Sequence, residues 1–198
     1  SWEIIAVDDG SRDNTWTAMI ELAKQDARFR PILLRRNFGQ TPALAAGLDR
    51  ARGARIITMD GDFQNDPSDI PVLMAKMDEG FDMVSGWRKQ RKDPFLSKRL
   101  PSKLANRLIQ HVTRVPVNDL GCSLKIYRRE IVNDIQLYGE LHRFLPVLAK
   151  WAGARIGEVP VTHHPRRFGQ SKYGLSRTIR VLLDLITVKF LMNYARSE

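Results

Sequence analysis

Over its first 86 residues the chain alternates short apolar runs with stretches whose apolar side chains recur at helical spacing, and few folds accommodate that rhythm. Strands are expected at 3–7, 31–35, 55–59 and 82–86, with helices at 15–27, 42–52 and 68–79. Strand–helix–strand units in series bury their apolar faces together as an α/β layer with a mainly parallel sheet. In such sheets ligands collect at the carboxyl ends of the strands, so the residues closing each apolar run are the first candidates for function. After Gly86 the rhythm changes. A basic segment over 88–114 is expected to hold a helix, 123–128 and 154–162 read as strands, helices fill part of 129–152, and 171–195 reads as a long terminal helix. No repeat or low-complexity linker separates the halves, and 198 residues suffice for one core, so a single domain over 1–198 is expected.

The third apolar run ends in Met59-Asp60-Gly61-Asp62-Phe63-Gln64-Asn65-Asp66-Pro67. Alternate residues of an extended chain point the same way, so Asp60 and Asp62, with Gln64 beyond them, are placed to share one hard cation and leave it open positions for phosphate oxygens. An acidic pair alone is weak evidence, because Asp is common at strand-to-loop turns. Asp66-Pro67 has a plainer reading as a helix start. The first strand closes on Asp8 and Asp9, two adjacent like charges that need a partner, which a nucleobase donor would supply. Asp13 or Ser11 reads as a helix cap. Asn37-Phe38-Gly39-Gln40 closes the second strand, and a turn leading into Pro42 accounts for it. His142, His163 and His164 lack the spacing of a closed metal site and read as packing or surface residues. The lone Cys122 excludes an intrachain disulfide framework, fits a reducing compartment and reads as a small buried apolar residue.

The net charge of +10 is unevenly placed: residues 1–85 carry 10 basic against 14 acidic side chains, residues 86–198 carry 22 against 8. The chain is acidic where a cation would sit and basic where anions would be met, whether nucleic acid, anionic lipid or a phosphorylated substrate. No apolar stretch reaches the roughly 20 residues of a membrane span; the nearest, 181–192, is broken by Asp184 and Lys189. Leu96, Leu100, Leu104, Leu108 and Val112 recur every fourth residue beside Arg99, Lys103 and Arg107, as in a basic interfacial helix started or kinked by Pro101. Within 177–192, Arg177, Arg180, Asp184 and Thr187 form a narrow polar stripe on an apolar helix, which core packing explains equally well. The chain opens almost directly on a strand, which reads as a fragment of something longer.

Taken in order, Val7-Asp8-Asp9-Gly10-Ser11-x-Asp13-x-Thr15, Arg36-Asn37-x-Gly39-Gln40, Ala46-Gly47 and Met59-Asp60-x-Asp62-x-Gln64-x-Asp66-Pro67 resemble glycosyltransferase family 2, in the branch that loads sugars onto polyprenyl phosphates. Ser85-Gly86-Trp87-Arg88, Asp119-Leu120-Gly121-Cys122-Ser123-Leu124-Lys125, His142-Arg143-Phe144 and Arg166-Arg167-Phe168-Gly169-Gln170-Ser171-Lys172-Tyr173 extend the resemblance, which runs from about Ile4 to about Lys189. The family is similar to dolichyl-phosphate mannose synthases and to the bacterial enzymes that make undecaprenyl-phosphate glucose or aminoarabinose. It implies a GT-A, Rossmann-like fold with amphipathic juxtamembrane helices, here without the family's first strand and without the C-terminal transmembrane helices of many members.

The resemblance implies transfer of a hexose from a UDP- or GDP-linked donor to an undecaprenyl or dolichyl phosphate in a single inverting displacement. Mg2+ or Mn2+ would be held by Asp60, Asp62 and Gln64, and donor by Asp8, Asp9, Asn37, Gln40, Asp60 and Gly61. Asp62 and Asp119 would be the catalytic carboxylates, and Arg88, Arg143, Arg166, Arg167, Ser171 and Lys172 would line the acceptor phosphate. The expected setting is the cytoplasmic face of a membrane with an anionic surface, and homo-oligomerisation is compatible with it. Two other readings stand beside it. One is a family 2 transferase to a sugar hydroxyl with Asp119 as base, against Asp119 as an orienting group or a turn cap. The other is a basic nucleic-acid-binding protein, which lacks recognisable nucleic-acid modules and stacking aromatics.

Overall fold

The structure, a computed structural model, describes residues 1–89, 115–135 and 141–165, with a few isolated positions in 107–113 and 184–190. The strand–helix alternation is present: β1 (Ile4–Asp8), α1 (Thr15–Gln25), β2 (Phe29–Leu33), α2 (Gln40–Arg50), β3 (Arg55–Thr58), a 3-10 turn at Pro67–Asp69 running into α3 (Ile70–Asp78), and β4 (Met83–Trp87). Then come β5 (Lys125–Arg128), α4 (Arg129–Asn133), a 3-10 turn at Leu141–Phe144, α5 (Leu145–Trp151) and β6 (Ile156–Pro160).

The described strands divide into two sheets. β1 and β2 form a parallel pair, and the other four are ordered β3-β5-β4-β6. β5 runs antiparallel to both of its neighbours, while β4 and β6 are parallel. Three strands of the larger sheet therefore share a direction, and the expected mainly parallel sheet is modified by one reversed strand inserted at its middle. That reversal matters for the site. Because β5 opposes β3 and β4, its first residue, Lys125, lies level with Thr58 and Ser85 near the carboxyl ends of both neighbours.

Period-2 alternation along β5 sends Leu124 and Ile126 to one face and Lys125 and Tyr127 to the other. The first face packs under α3, where Leu73 and Met77, one helical turn apart and fully buried, meet Val84, Cys122, Val159 and Val161. Each such side chain contributes roughly 1.5–3 kcal/mol by leaving water. The opposite face packs Met83 and Tyr127 against Ile131, Leu145, Ala149 and Ala154. Cys122 is a buried free thiol, and burial raises its pKa.

The basic helix expected between Leu96 and Val112 and the long terminal helix at 171–195 lie mostly outside the described residues. Among described residues there, Leu185 is buried and Ile186 and Phe190 are exposed. Among the described residues no helix is long and apolar enough to cross a membrane.

Candidate functional site

The ends of β1, β2 and β3 are stitched into one ligand-facing rim. Asp9, just past β1, takes the backbone amides of Phe38 (2.7 Å) and Gly39 (2.9 Å) on its two carboxylate oxygens, and Asn37 Nδ2 donates to its carbonyl at 3.1 Å. The partner that the paired acids were expected to need is thus supplied to Asp9 by the protein's own backbone. Asp8 is buried, and one of its oxygens accepts the Ser11 amide at 2.8 Å. Its other oxygen is buried without a hydrogen-bond partner. Close approach makes the turn possible: at Gly10 (φ +72°) a Cβ would stand 2.6 Å from the Arg36 carbonyl carbon, and only glycine fits there. Asp13 accepts the Thr15 amide and hydroxyl, closing the turn before α1, whose N-cap position is Asn14.

Gln40, the first residue of α2, reaches across to Asp60 with Nε2 donating to a carboxylate oxygen at 2.9 Å. Asp9, Asn37, Gln40 and Asp60 are therefore contiguous. Asp60 and Gly61 are exposed and Asp62 is half-buried. The Asp60 carboxyl is raised above its ordinary pKa by desolvation in a crowded neighbourhood and next by the charge of Asp62. A carboxylate whose charge is made costly by its surroundings and by a second carboxylate two residues away fits a divalent cation, which would offset that cost. Asp62 also accepts the Gln64 amide at 3.2 Å, and Gln64 Nε2 faces His163 Nε2 and the His164 carbonyl, both at 3.4 Å. The amide oxygen of Gln64 is the atom that a cation would take. No cluster of three or more His, Cys, Asp or Glu suited to a metal occurs among the described residues, so the candidate ligand set is the two acids with an amide and not a closed cage.

His163 and His164 serve packing. His163 bridges to Asn65 in the main chain, and His164 Nε2 lies 3.0 Å from Asp66 Oδ2. Asp66 also accepts the Ser68 amide as the cap of the 3-10 turn, and these bonds, that of His164 first, hold its pKa at about 2.

On the other side of β5, Arg88 and Asp119 form a forked ion pair, with Nε to one carboxylate oxygen at 2.7 Å and an Nη to the other at 2.9 Å. The side chains are 13% and 6% exposed. The turn at Gly121 is closed by the main chain, Cys122 N donating to the Asp119 carbonyl at 3.3 Å. A Cβ on Gly121 would stand 3.2 Å from the Arg88 guanidinium, which fixes how tightly the fork is cradled. Glu158 on β6 accepts the Asp119 amide (3.0 Å) and Asn118 Nδ2 (2.6 Å), holding the loop from below.

Between the two acidic centres lies Lys125, 3% exposed, its ammonium donating to the Cys122 carbonyl. Burial lowers its pKa, and its charge is felt by Asp119, Arg88 and Asp60 alike. Lys125, Ser123 and Glu158 had no assigned role in the sequence reading. A charged residue inside the apolar run Leu124–Tyr127 was the available signal for Lys125. His142 is buried with Nδ1 2.7 Å from the Thr41 hydroxyl on α2, and half-buried Arg143 follows it. Arg166, Arg167, Ser171 and Lys172 lie outside the described residues.

Burial, then the neighbouring Arg143 and Lys125 charges, push His142 down to about 4 from 6.5. A histidine with a depressed folded pKa destabilises the fold as pH falls below its unfolded value, because the unfolded chain takes the proton first. Stability should therefore drop between pH 6.5 and about 4 and level off below, by on the order of 3 kcal/mol. Urea titrations of the wild type and His142→Gln across that window should differ by this slope, the wild type losing stability relative to the variant as pH falls.

Comparison with known proteins shows the family and the fold. The family described as Glycosyl transferase family 2 matches residues 1–136. A dodecaprenyl-phosphate galacturonate synthase of Rhizobium johnstonii is 50% identical over 197 residues, covering 98% of this chain and 58% of that protein. An undecaprenyl-phosphate 4-deoxy-4-formamido-L-arabinose transferase of Salmonella paratyphi B is 43% identical over 188 residues, covering 94% of this chain and 57% of that protein. The chain thus spans somewhat over half the length of these relatives. A crystal structure of glucosyl-3-phosphoglycerate synthase from Mycobacterium tuberculosis, in complex with Mn2+, UDP and phosphoglyceric acid, superposes with a TM-score of 0.70 at 16% identity, covering 96% of this chain and 67% of that one. The GT-A fold expected from the sequence is the fold the chain adopts.

Proposed function

Because the chain belongs to glycosyl transferase family 2, we propose that it is the catalytic part of a metal-dependent enzyme that moves a hexose from a nucleoside-diphosphate sugar to a polyprenyl phosphate. One observation carries the reading: Asp60 beyond β3 and the Asp119–Arg88 fork beyond β4 open on the same edge of the sheet, on either side of Lys125. The relatives named for dodecaprenyl- and undecaprenyl-phosphate products support the acceptor class, and the Mn2+ and UDP in the structural neighbour support the donor side.

Asp60 and Asp62, with the amide oxygen of Gln64, would hold Mg2+ or Mn2+, which would offset the charge left on the diphosphate as the bond to the anomeric carbon breaks. The residues of the rim do the rest. Gln40 orients Asp60, while Asp9 fixes the 37–39 turn against which a donor would lie. Arg88 would meet an anionic acceptor, and Arg143, with Arg166, Arg167, Ser171 and Lys172, would complete that pocket. A phosphate monoester with a second pKa near ~6 is already largely an anion at neutral pH, so no strong base is required. This suits Asp119, whose two oxygens both serve the guanidinium. An anionic membrane surface is the natural place to meet such an acceptor.

A panel of UDP- and GDP-sugars offered with short polyprenyl phosphates, in Mn2+ and in EDTA, tests the proposal. Metal-dependent formation of a glycosyl phospholipid is the expected result; transfer only to sugar hydroxyls would replace the acceptor, and no nucleotide-sugar turnover by the full-length protein would overturn it.

A further inference from the structure

We infer that Ser123 is a positioning residue that sets the shape of the acidic loop 60–65 through its hydroxyl alone. The inference rests on the reading of Asp60 and Asp62 as a divalent-cation site. Ser123 precedes β5 and is half-buried beneath the loop. Its Oγ accepts the Asp60 backbone amide at 3.3 Å and Asn65 Nδ2 at 2.8 Å. The first and last residues of the loop that carries Asp62 are thus drawn to a single oxygen.

A serine hydroxyl has two acceptor positions and one proton. With its acceptor positions filled the hydroxyl turns its proton away from those two donors, and it neighbours the Asp60 carboxyl, whose pKa, raised chiefly by desolvation, it lowers. Asn65 turns its Oδ1 toward the Cys122 thiol, 4.0 Å away and shared with the Leu124 carbonyl at 3.8 Å, and its Nδ2 toward Ser123. The support under Ser123 is also tied down: its carbonyl accepts the Thr58 hydroxyl at 2.9 Å, and the adjacent Cys122 carbonyl accepts the Lys125 ammonium. Asp60 consequently has Gln40 on one side and Ser123 on the other, and a carboxylate held from two sides presents its remaining lone pairs in one direction.

The experiment is a titration of the full-length protein with Mn2+ alone and with Mn2+ plus UDP, following free Mn2+ by electron paramagnetic resonance. Variants are Ser123→Ala, Ser123→Cys, Asp60→Ala and, as a structural control, Thr58→Val, which removes the tie to the Ser123 carbonyl while sparing the hydroxyl. Groups that orient metal ligands typically change affinity 10–100-fold when lost, so Ser123→Ala should weaken Mn2+ binding by about tenfold or more. Ser123→Cys, which keeps the shape but bonds weakly, should also lose affinity, and serves if the alanine variant does not fold. Thr58→Val should bind as the wild type does even if its melting temperature falls. In turnover assays the Ser123 variants should raise the Mn2+ concentration for half-maximal rate far more than they lower kcat at saturating Mn2+. Wild-type Mn2+ affinity in both Ser123 variants, with none in Asp60→Ala, would overturn the inference and leave the cation site standing. Wild-type affinity in Asp60→Ala, or no binding by the wild type, would remove the cation site and this inference with it.

Discussion

Asp60→Ala and Asp62→Ala should each lower metal-dependent turnover by about a thousandfold or more, a loss of roughly 4 kcal/mol of transition-state stabilisation. The expectation follows from the placement of both carboxylates beyond the end of β3 and from the cost that Asp62 imposes on Asp60 in the absence of a cation. A second measurement separates this from damage to the fold. Desolvation, and then Asp62, raise the Asp60 pKa, so the folded state holds the ionised carboxylate less well than the unfolded state does. The sign is that stability falls as pH rises through the folded pKa, and at neutral pH the charge is a burden. Asp60→Asn should therefore melt at or above the wild-type temperature in EDTA while losing activity, and added Mn2+ should stabilise the wild type but not the variant. A variant that keeps its turnover, or one that unfolds before losing it, would count against the assignment.

The strand ends that build this site were legible in the sequence because hydrophobic periodicity marks where a buried strand stops, and Asp8-Asp9, Asn37-Gln40 and Asp60-x-Asp62 all fall at such stops. Boundaries shifted where a local signal met a tertiary exception. The second strand was expected over 31–35; in the structure β2 spans Phe29–Leu33, with Pro31 inside it opposite Ala6, tolerated because β2 pairs only with β1 among the described strands. Helix α2 starts two residues before Pro42 because Gly39 (φ +98°) turns the chain so that Gln40 enters the helix and faces Asp60. What sequence could not give was the direction of β5. A short apolar run reads the same in either sense, and only its antiparallel insertion between β3 and β4 brings Asp119, Ser123 and Lys125 to the edge where Asp60 and Arg88 lie. The pairing of Arg88 with Asp119 was hidden for the same reason: each was assigned a separate role, across 31 positions of sequence.

That pairing leads to a test that divides acceptor classes. Asp119→Asn keeps the volume of the side chain and one oxygen for Arg88, but removes the charge that balances a guanidinium only 13% exposed. Breaking one partner of a buried pair costs on the order of 3–5 kcal/mol, so the variant should be markedly less stable in urea. If the acceptor is a lipid phosphate, chemistry needs no proton taken by Asp119. Transfer should then slow by roughly 10–100-fold, mostly through a raised KM for the lipid as Arg88 loses its register, with the pH dependence of kcat unchanged. Arg88→Ala should be worse, because it removes the fork itself and leaves Asp119 buried and unbalanced. A carboxylate acting as general base would behave differently: Asp119→Asn would abolish transfer at saturating acceptor and erase the acidic limb of the pH–rate profile. Phosphate and hydroxyl acceptors are thereby told apart by one substitution, since an orienting Asp119 acts through the Arg88 it holds in a fork, whereas a base acts through its own proton affinity.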